Sequence, residues 1–110
     1  MKRTRTYSPY ASEAAQLLGA QVALARRERR WSVQELADRA GITPFTLRKV
    51  ERGDMTVSLG VAFEVAALVR VPLFHADRSR LTLDAERTRA RAALLPQRVR
   101  ARRQEVEDDF

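Results

Sequence analysis

The chain has 110 residues, with 21 Lys plus Arg against 14 Asp plus Glu and a formal net charge of +7. That length suits one domain with tails. Cysteine is absent and His75 is the only histidine, which removes disulfides, zinc fingers, cysteine nucleophiles and most transition-metal sites.

All the basic residues except Lys2 and Lys49 are arginine. The planar fork of arginine suits phosphate and guanine edges, so the charge balance points to nucleic acid or an anionic surface. No apolar run approaches the ~20 residues that a membrane span needs. The basic opening MKRTRTYSPY is not followed by an apolar stretch of the kind a secretory signal carries. A soluble, cytoplasmic protein without a membrane partner is expected.

Residues 1–8 read as a flexible basic arm with Lys2, Arg3 and Arg5. The spacing then predicts a first helix from Pro9 or Ser12 to Arg29. Ser8-Pro9 supplies an N-cap followed by proline at the first helical position. Leu18, Val22 and Ala25 recur on one face, and Arg26, Arg27, Arg29 and Arg30 crowd the last turn, where cations complement the helix dipole. Ser32 and Glu35 form an S-x-x-E capping box for a second helix. Leu36 and Ala37 face inward there, and Gly41 ends it, because a left-handed residue strains glycine least. Thr43 caps a third helix with Pro44 at its start, Leu47 and Val50 buried, and Gly53-Asp54 closing it. A fourth helix runs from Ser58 to about Val69. Its sequence LGVAFEVAALV is apolar nearly all round, so it is buried on both faces or shares one with a partner. Pro72 breaks the chain, and Leu73 and Phe74 are expected to cover the core. Residues 84–95 suit a further helix that Pro96 stops. The block-charged stretch after it reads as a disordered tail.

Residues 32–53 thus set two short helices around a tight turn. Ala37 is small where the helices must cross, and Gly41 tolerates the turn four residues later. Leu47 and Val50 anchor the second helix of the pair, leaving Pro44, Phe45, Thr46, Arg48 and Lys49 outward. This is the layout of a helix-turn-helix, whose second helix enters the major groove of DNA.

Residues 12–74 resemble the phage Cro/repressor (XRE) family of helix-turn-helix domains. The resemblance lies in Leu18-Gly19, W-S-x-x-E-L-A at 31–37, A-G-I-T at 40–43 and V-E-R-G at 50–53. It implies an all-α, five-helix domain, here placed at 9–75, with a C-terminal segment at 76–110 that is helical or disordered. It assigns groove reading to Thr43, Pro44, Phe45, Thr46 and Lys49, with Arg48 adjacent. Lys49 is the candidate for a guanine edge. Phe45 contacts a thymine methyl, or else serves core packing or a dimer contact. Thr43 and Thr46 hold phosphates or bases, or act as plain capping residues. The family often has Gln at the first residue of the second helix as a phosphate contact. Val33 stands there instead, so the contact passes to Ser32, Gln34 or the backbone amides. Pro44 replaces another commonly polar residue, which shifts weight to Lys49, Arg48 and DNA shape. Arg26 and Glu51 match a family pair that forms a structural salt bridge. Trp31 stands where the family usually has Leu, and is expected to pack rather than to bind a ligand.

The run LLPQRVRARRQEVEDDF is similar to the tails of HipB-type antitoxins, which repress their own operon and bind a HipA-like kinase toxin. That implies a partner-binding tail through Arg98, Arg100, Arg102, Arg103 and Phe110. The alternatives are a stand-alone XRE regulator, and an interaction or inhibitor module with no DNA role. A homodimer on a palindromic operator is expected, joined through Val61, Val65, Leu68, Leu73, Phe74 and residues 81–95. The sequence has no Ser/His/Asp set, metal cluster or Gly-rich phosphate loop, so neither catalysis nor a cofactor is expected.

Overall fold

Ser8, Ser32, Thr43 and Ser58 each accept a backbone N–H from three residues ahead, at 3.2, 3.0, 3.1 and 3.2 Å, and each opens a helix. A computed structural model describes residues 5–99 of the chain. Its helices are α1 (Pro9–Glu28), α2 (Val33–Ala40), α3 (Pro44–Glu51), α4 (Leu59–Leu68) and α5 (Arg78–Ala93). The described residues form no extended strand, so the fold is all-α. The chain divides into two compact units, one ending at Ala76 and one starting at Asp77. The first unit therefore holds α1–α4, and the fifth helix lies beyond residue 74.

The ends of α1–α4 share one device. At each end a left-handed residue donates its N–H back over three residues, and the N–H after it reaches back over five, as in a Schellman motif. The long bonds are Trp31 N to Arg26 O at 3.1 Å, Ile42 N to Ala37 O at 3.0 Å, Asp54 N to Lys49 O at 3.0 Å and Val71 N to Ala66 O at 2.9 Å. The motif needs a left-handed residue. Glycine provides it at Gly41 (φ 71°) and Gly53 (φ 77°), but Arg30 (φ 59°) and Arg70 (φ 65°) provide it elsewhere. A side chain in that region is strained by roughly 1–2 kcal/mol. Arg70→Gly is accordingly expected to stabilise the chain by up to about 1 kcal/mol, after the added chain entropy of glycine is subtracted. A thermal melt checks this.

The core of the first unit comprises Val22 from α1, Leu36 and Ala37 from α2, Leu47 and Val50 from α3, and Val65, Ala66, Val69 and Val71 from α4 and the segment after it. α1 and α2 both pack on α3, and α4 packs on α2 and α1. Gly19 makes the first of these contacts possible. A Cβ there would stand 2.4 Å from Val50 O and 2.5 Å from Glu51 O.

α4 departs from the expected dimer face. Val65 is fully buried within its own unit, so it cannot meet a second copy. Val61, Leu68 and Leu73 are half-buried against the same core. An apolar-all-round helix offers several stripes, and here the one containing Val65 and Ala66 turns inward. Phe74 also departs from its expected role. It is 81% exposed at φ 73°, so it does not cover the core.

In the second unit, α5 begins six residues earlier than the spacing predicts. Asp77 caps it: its carboxylate accepts from Ser79 N at 3.0 Å, and its carbonyl accepts from Arg80 N and Leu81 N at 3.1 Å each. The helix closes at Ala93, ahead of Pro96, with Leu94 and Leu95 making short-range bonds to Arg91 O and Ala92 O. No residue of α5 is buried.

Candidate nucleic-acid interface

The turn between α2 and α3 is set by local chemistry. The capping box is complete: Glu35 N donates to Ser32 Oγ at 3.0 Å and Ser32 N donates to Glu35 Oε1 at 2.9 Å. Gly41 turns the chain left-handed, and Thr43-Pro44 starts α3 three residues after α2 ends. Ala37, fully buried, keeps the two helices close.

α3 buries Leu47 and Val50 and presents its other side outward. Thr43, Phe45 and Arg48 are exposed, while Pro44, Thr46 and Lys49 are half-buried. Phe45 is 65% exposed, which removes core packing as its role. Its ring lies under the Lys49 ammonium, 5.6 Å from Nζ to the centroid. A cation over a ring face is held electrostatically, so Phe45 limits where Lys49 can point. Thr43 Oγ1 accepts from Thr46 N and donates to Thr46 Oγ1, both at 3.1 Å. Thr43 is thus engaged as a cap, and the Thr46 hydroxyl keeps its own proton for an outside acceptor.

At the start of α2, Ser32 Oγ is committed as an acceptor but retains its hydroxyl proton. Gln34 Nε2 donates to Asp38 Oδ1 at 2.9 Å within the helix, so a phosphate must compete with a carboxylate for that amide. The amides of Val33 and Gln34 belong to the first turn, where no intrahelical acceptor exists, and they point along the positive end of the helix dipole. This makes the backbone the better-placed anion donor there.

Behind the reading helix, Arg26 Nε donates to Glu51 Oε2 at 2.7 Å and Arg26 Nη2 to Glu51 Oε1 at 3.1 Å. Arg26 Nη1 donates to Trp31 O at 3.0 Å. One guanidinium therefore ties α1, the α1–α2 turn and the end of α3 together. The hydrogen bonds that Arg26 donates to Glu51 hold the Arg26 pKa above its ordinary value, against the opposing effect of burial. At the far end of α3, Asp54 accepts from Thr56 N at 2.8 Å and Thr56 Oγ1 at 2.6 Å. These bonds hold its carboxyl below the usual aspartate range, with nearby Lys49 and Arg52 adding to them.

One contact is not singled out by the sequence reading. The Arg39 guanidinium stacks on the Trp31 ring at 4.1 Å. Trp31 thus packs against the core on one side and fixes an arginine of α2 on the other. His75 is half-buried at the end of the first unit, and Arg98 is exposed in the second. Arg100, Arg102, Arg103 and Phe110 lie outside the described residues, as do Lys2 and Arg3.

Residues 22–74 match the sequence model of a family described as helix-turn-helix. This segment belongs to the XRE family of helix-turn-helix domains. The family is one of DNA-binding transcription regulators, and the match supports that role for the domain. The match takes in α2, α3, α4 and the last seven residues of α1. It starts at Val22, the first α1 side chain buried in the core after Gly19. No curated protein matches the chain. Among the described residues no helix is long and apolar enough to cross a membrane.

Proposed function

We propose that the protein is a sequence-specific transcriptional repressor that binds a palindromic operator as a homodimer in the cytoplasm. The carrying observation is the outward row on α3, where Phe45 holds the Lys49 ammonium beside Thr46 and Arg48. Lys49 reads a guanine edge, and Phe45 offers its exposed ring to a thymine methyl. Arg48, Ser32 and the first amides of α2 hold phosphates. The two recognition helices of the dimer sit roughly one DNA turn apart, about 34–36 Å. With Val65 buried, Phe74 is the one expected contact residue outside α5 that is still exposed for pairing.

The test is binding of the full chain to a duplex from its own promoter and to a scrambled duplex of the same length, over a range of salt. A preference for the promoter is expected, and equal affinity would sink the proposal. Lys49→Ala is expected to weaken promoter binding about tenfold or more, with a much smaller loss on the scrambled duplex. Equal losses on both would make Lys49 a phosphate contact.

A HipB-type antitoxin role is the second reading. It is favoured by the exposed apolar tip that follows α5, where Leu94 is 85% and Leu95 67% exposed, with Val99 at 83% close behind. Such a tip beside Arg98 suits a protein partner. Co-purification of the native chain with a kinase encoded beside it supports this role, and recovery of the chain without such a partner leaves the stand-alone regulator.

A further inference from the structure

We infer that α1 carries an association surface that pairs two copies of this chain back to back, in antiparallel register. Tyr10, Leu17 and Leu24 lie seven residues apart and are 87%, 60% and 58% exposed. The opposite face of α1 is already occupied. Gly19, Val22 and Arg26 are buried, roughly 140–200° around the helix from Leu17. α1 is therefore apolar on two opposed faces, and one of them has no partner within the domain.

The exposed face has the pattern of a coiled-coil seam. Tyr10, Ala14, Leu17, Gln21, Leu24 and Glu28 follow alternating spacings of four and three, and all six are exposed. Such spacing keeps one stripe facing a neighbouring helix. The edges of the seam identify that neighbour. One edge carries Glu13, Ala20 and Arg27, again seven apart and all exposed. The other carries Ala11, Leu18 and Ala25, all half-buried.

Two copies set antiparallel, with Leu17 facing Gln21 of the second copy and Ala14 facing Leu24, bring like edges together. Glu13 of each copy then faces Arg27 of the other, and Ala20 meets its own symmetry mate at the two-fold axis. The apolar edges meet as Ala11 with Ala25 and Leu18 with Leu18. A parallel pair would instead set the charged edge against the apolar one. The sequence of α1 is thus self-complementary in one direction only, as an isologous contact requires.

α1 is about 30 Å long, fewer than three full heptads, and its seam includes Gln21 and Glu28. The association is therefore weak, and DNA binding strengthens it by concentrating the chains. Because α3 packs on α1 from the occupied side, the pairing leaves both recognition helices facing outward. It joins chains on two separate DNA sites rather than on two halves of one.

The test is sedimentation equilibrium of the full chain without DNA, from low to high micromolar concentration. Self-association is expected. Glu13→Arg and Arg27→Glu are each expected to weaken it about tenfold, since each replaces two attractive pairs by two repulsive ones. The double exchange is expected to restore it. Leu17→Glu is expected to lower the mass while leaving the melting temperature unchanged. The absence of cysteine allows a direct probe. Ala20→Cys should form a disulfide-linked dimer under mild oxidation, and Glu64→Cys on α4 should not. A monomer at every concentration, a mass that Leu17→Glu does not change, or failure of the double exchange to rescue would each overturn the pairing. Loss of promoter preference with this pairing intact would instead overturn the DNA-binding proposal.

Discussion

Gly19→Ala is expected to lower the melting temperature sharply. The added Cβ would meet Val50 O at 2.4 Å, Glu51 O at 2.5 Å and Glu51 C at 2.8 Å. All three are backbone atoms, so no side chain can swing away. α1 must move off the end of α3, and that movement breaks the contact on which the recognition helix rests. Overpacking of this kind costs about 3 kcal/mol or more. For a domain of this size that is a loss of roughly 12–24 °C. Gly60 on α4 is the control, because nothing lies within 4 Å of a Cβ built there. Gly60→Ala should be neutral, or stabilising by up to about 1 kcal/mol. Paired melts of the two variants decide the matter. Equal melting temperatures would mean that α1 does not rest on α3 as described.

The starts of α1–α4 were legible because each is marked by a hydroxyl residue that caps the helix. Ser8, Ser32, Thr43 and Ser58 all behave in this way. The ends near Arg29 and Val69 were legible as well, but the left-handed residue that closes a helix was legible only where it is glycine. Arg30 and Arg70 adopt the same left-handed conformation, yet arginine carries no local signal for it, since a side chain disfavours that region. The burial of Val65 was hidden for a related reason. When a helix is apolar all round, periodicity does not select the stripe that faces the core. The start of α5 was hidden in a polar run, where Asp77 competes with several other capping residues. Much of the α3 surface was legible, since Leu47 and Val50 leave few positions to face outward. Its finer chemistry was less so. The bond from Gln34 to Asp38 and the stacking of Lys49 on Phe45 both use four-residue spacing, but many such pairs occur on any helix and only geometry selects among them. Gly19 lies in the Leu18-Gly19 pair on which the family resemblance rests, but nothing in the sequence says which carbonyl it must clear.

Glu51→Ala is expected to destabilise the chain by about 3 kcal/mol, near the low end for breaking a buried pair. The Arg26 and Glu51 side chains retain 9% and 12% exposure, so the orphaned guanidinium still reaches some water. Its charge persists in the variant at any ordinary pH. Arg26 has its pKa raised in the fold, so its contribution is complete below the unfolded value and fades only as pH climbs through the folded one, in the far alkaline range. Melts of the wild type therefore owe no pH dependence near neutrality to Arg26. Removing both charges is expected to behave differently. Arg26→Met combined with Glu51→Leu leaves no buried ion, and such replacements are often neutral or stabilising. Here a penalty of about 1 kcal/mol remains, because Trp31 O loses the donor that Arg26 Nη1 supplies. The double variant should thus melt above Glu51→Ala and slightly below the wild type. Were Glu51→Ala to melt with the wild type, the pair would have no part in holding α3 against α1. Were the double variant to melt lowest, the hydrogen bond to the α1–α2 turn would outweigh the ion pair. In either case DNA affinity should follow stability, because no member of this cluster lies on the outward face of α3.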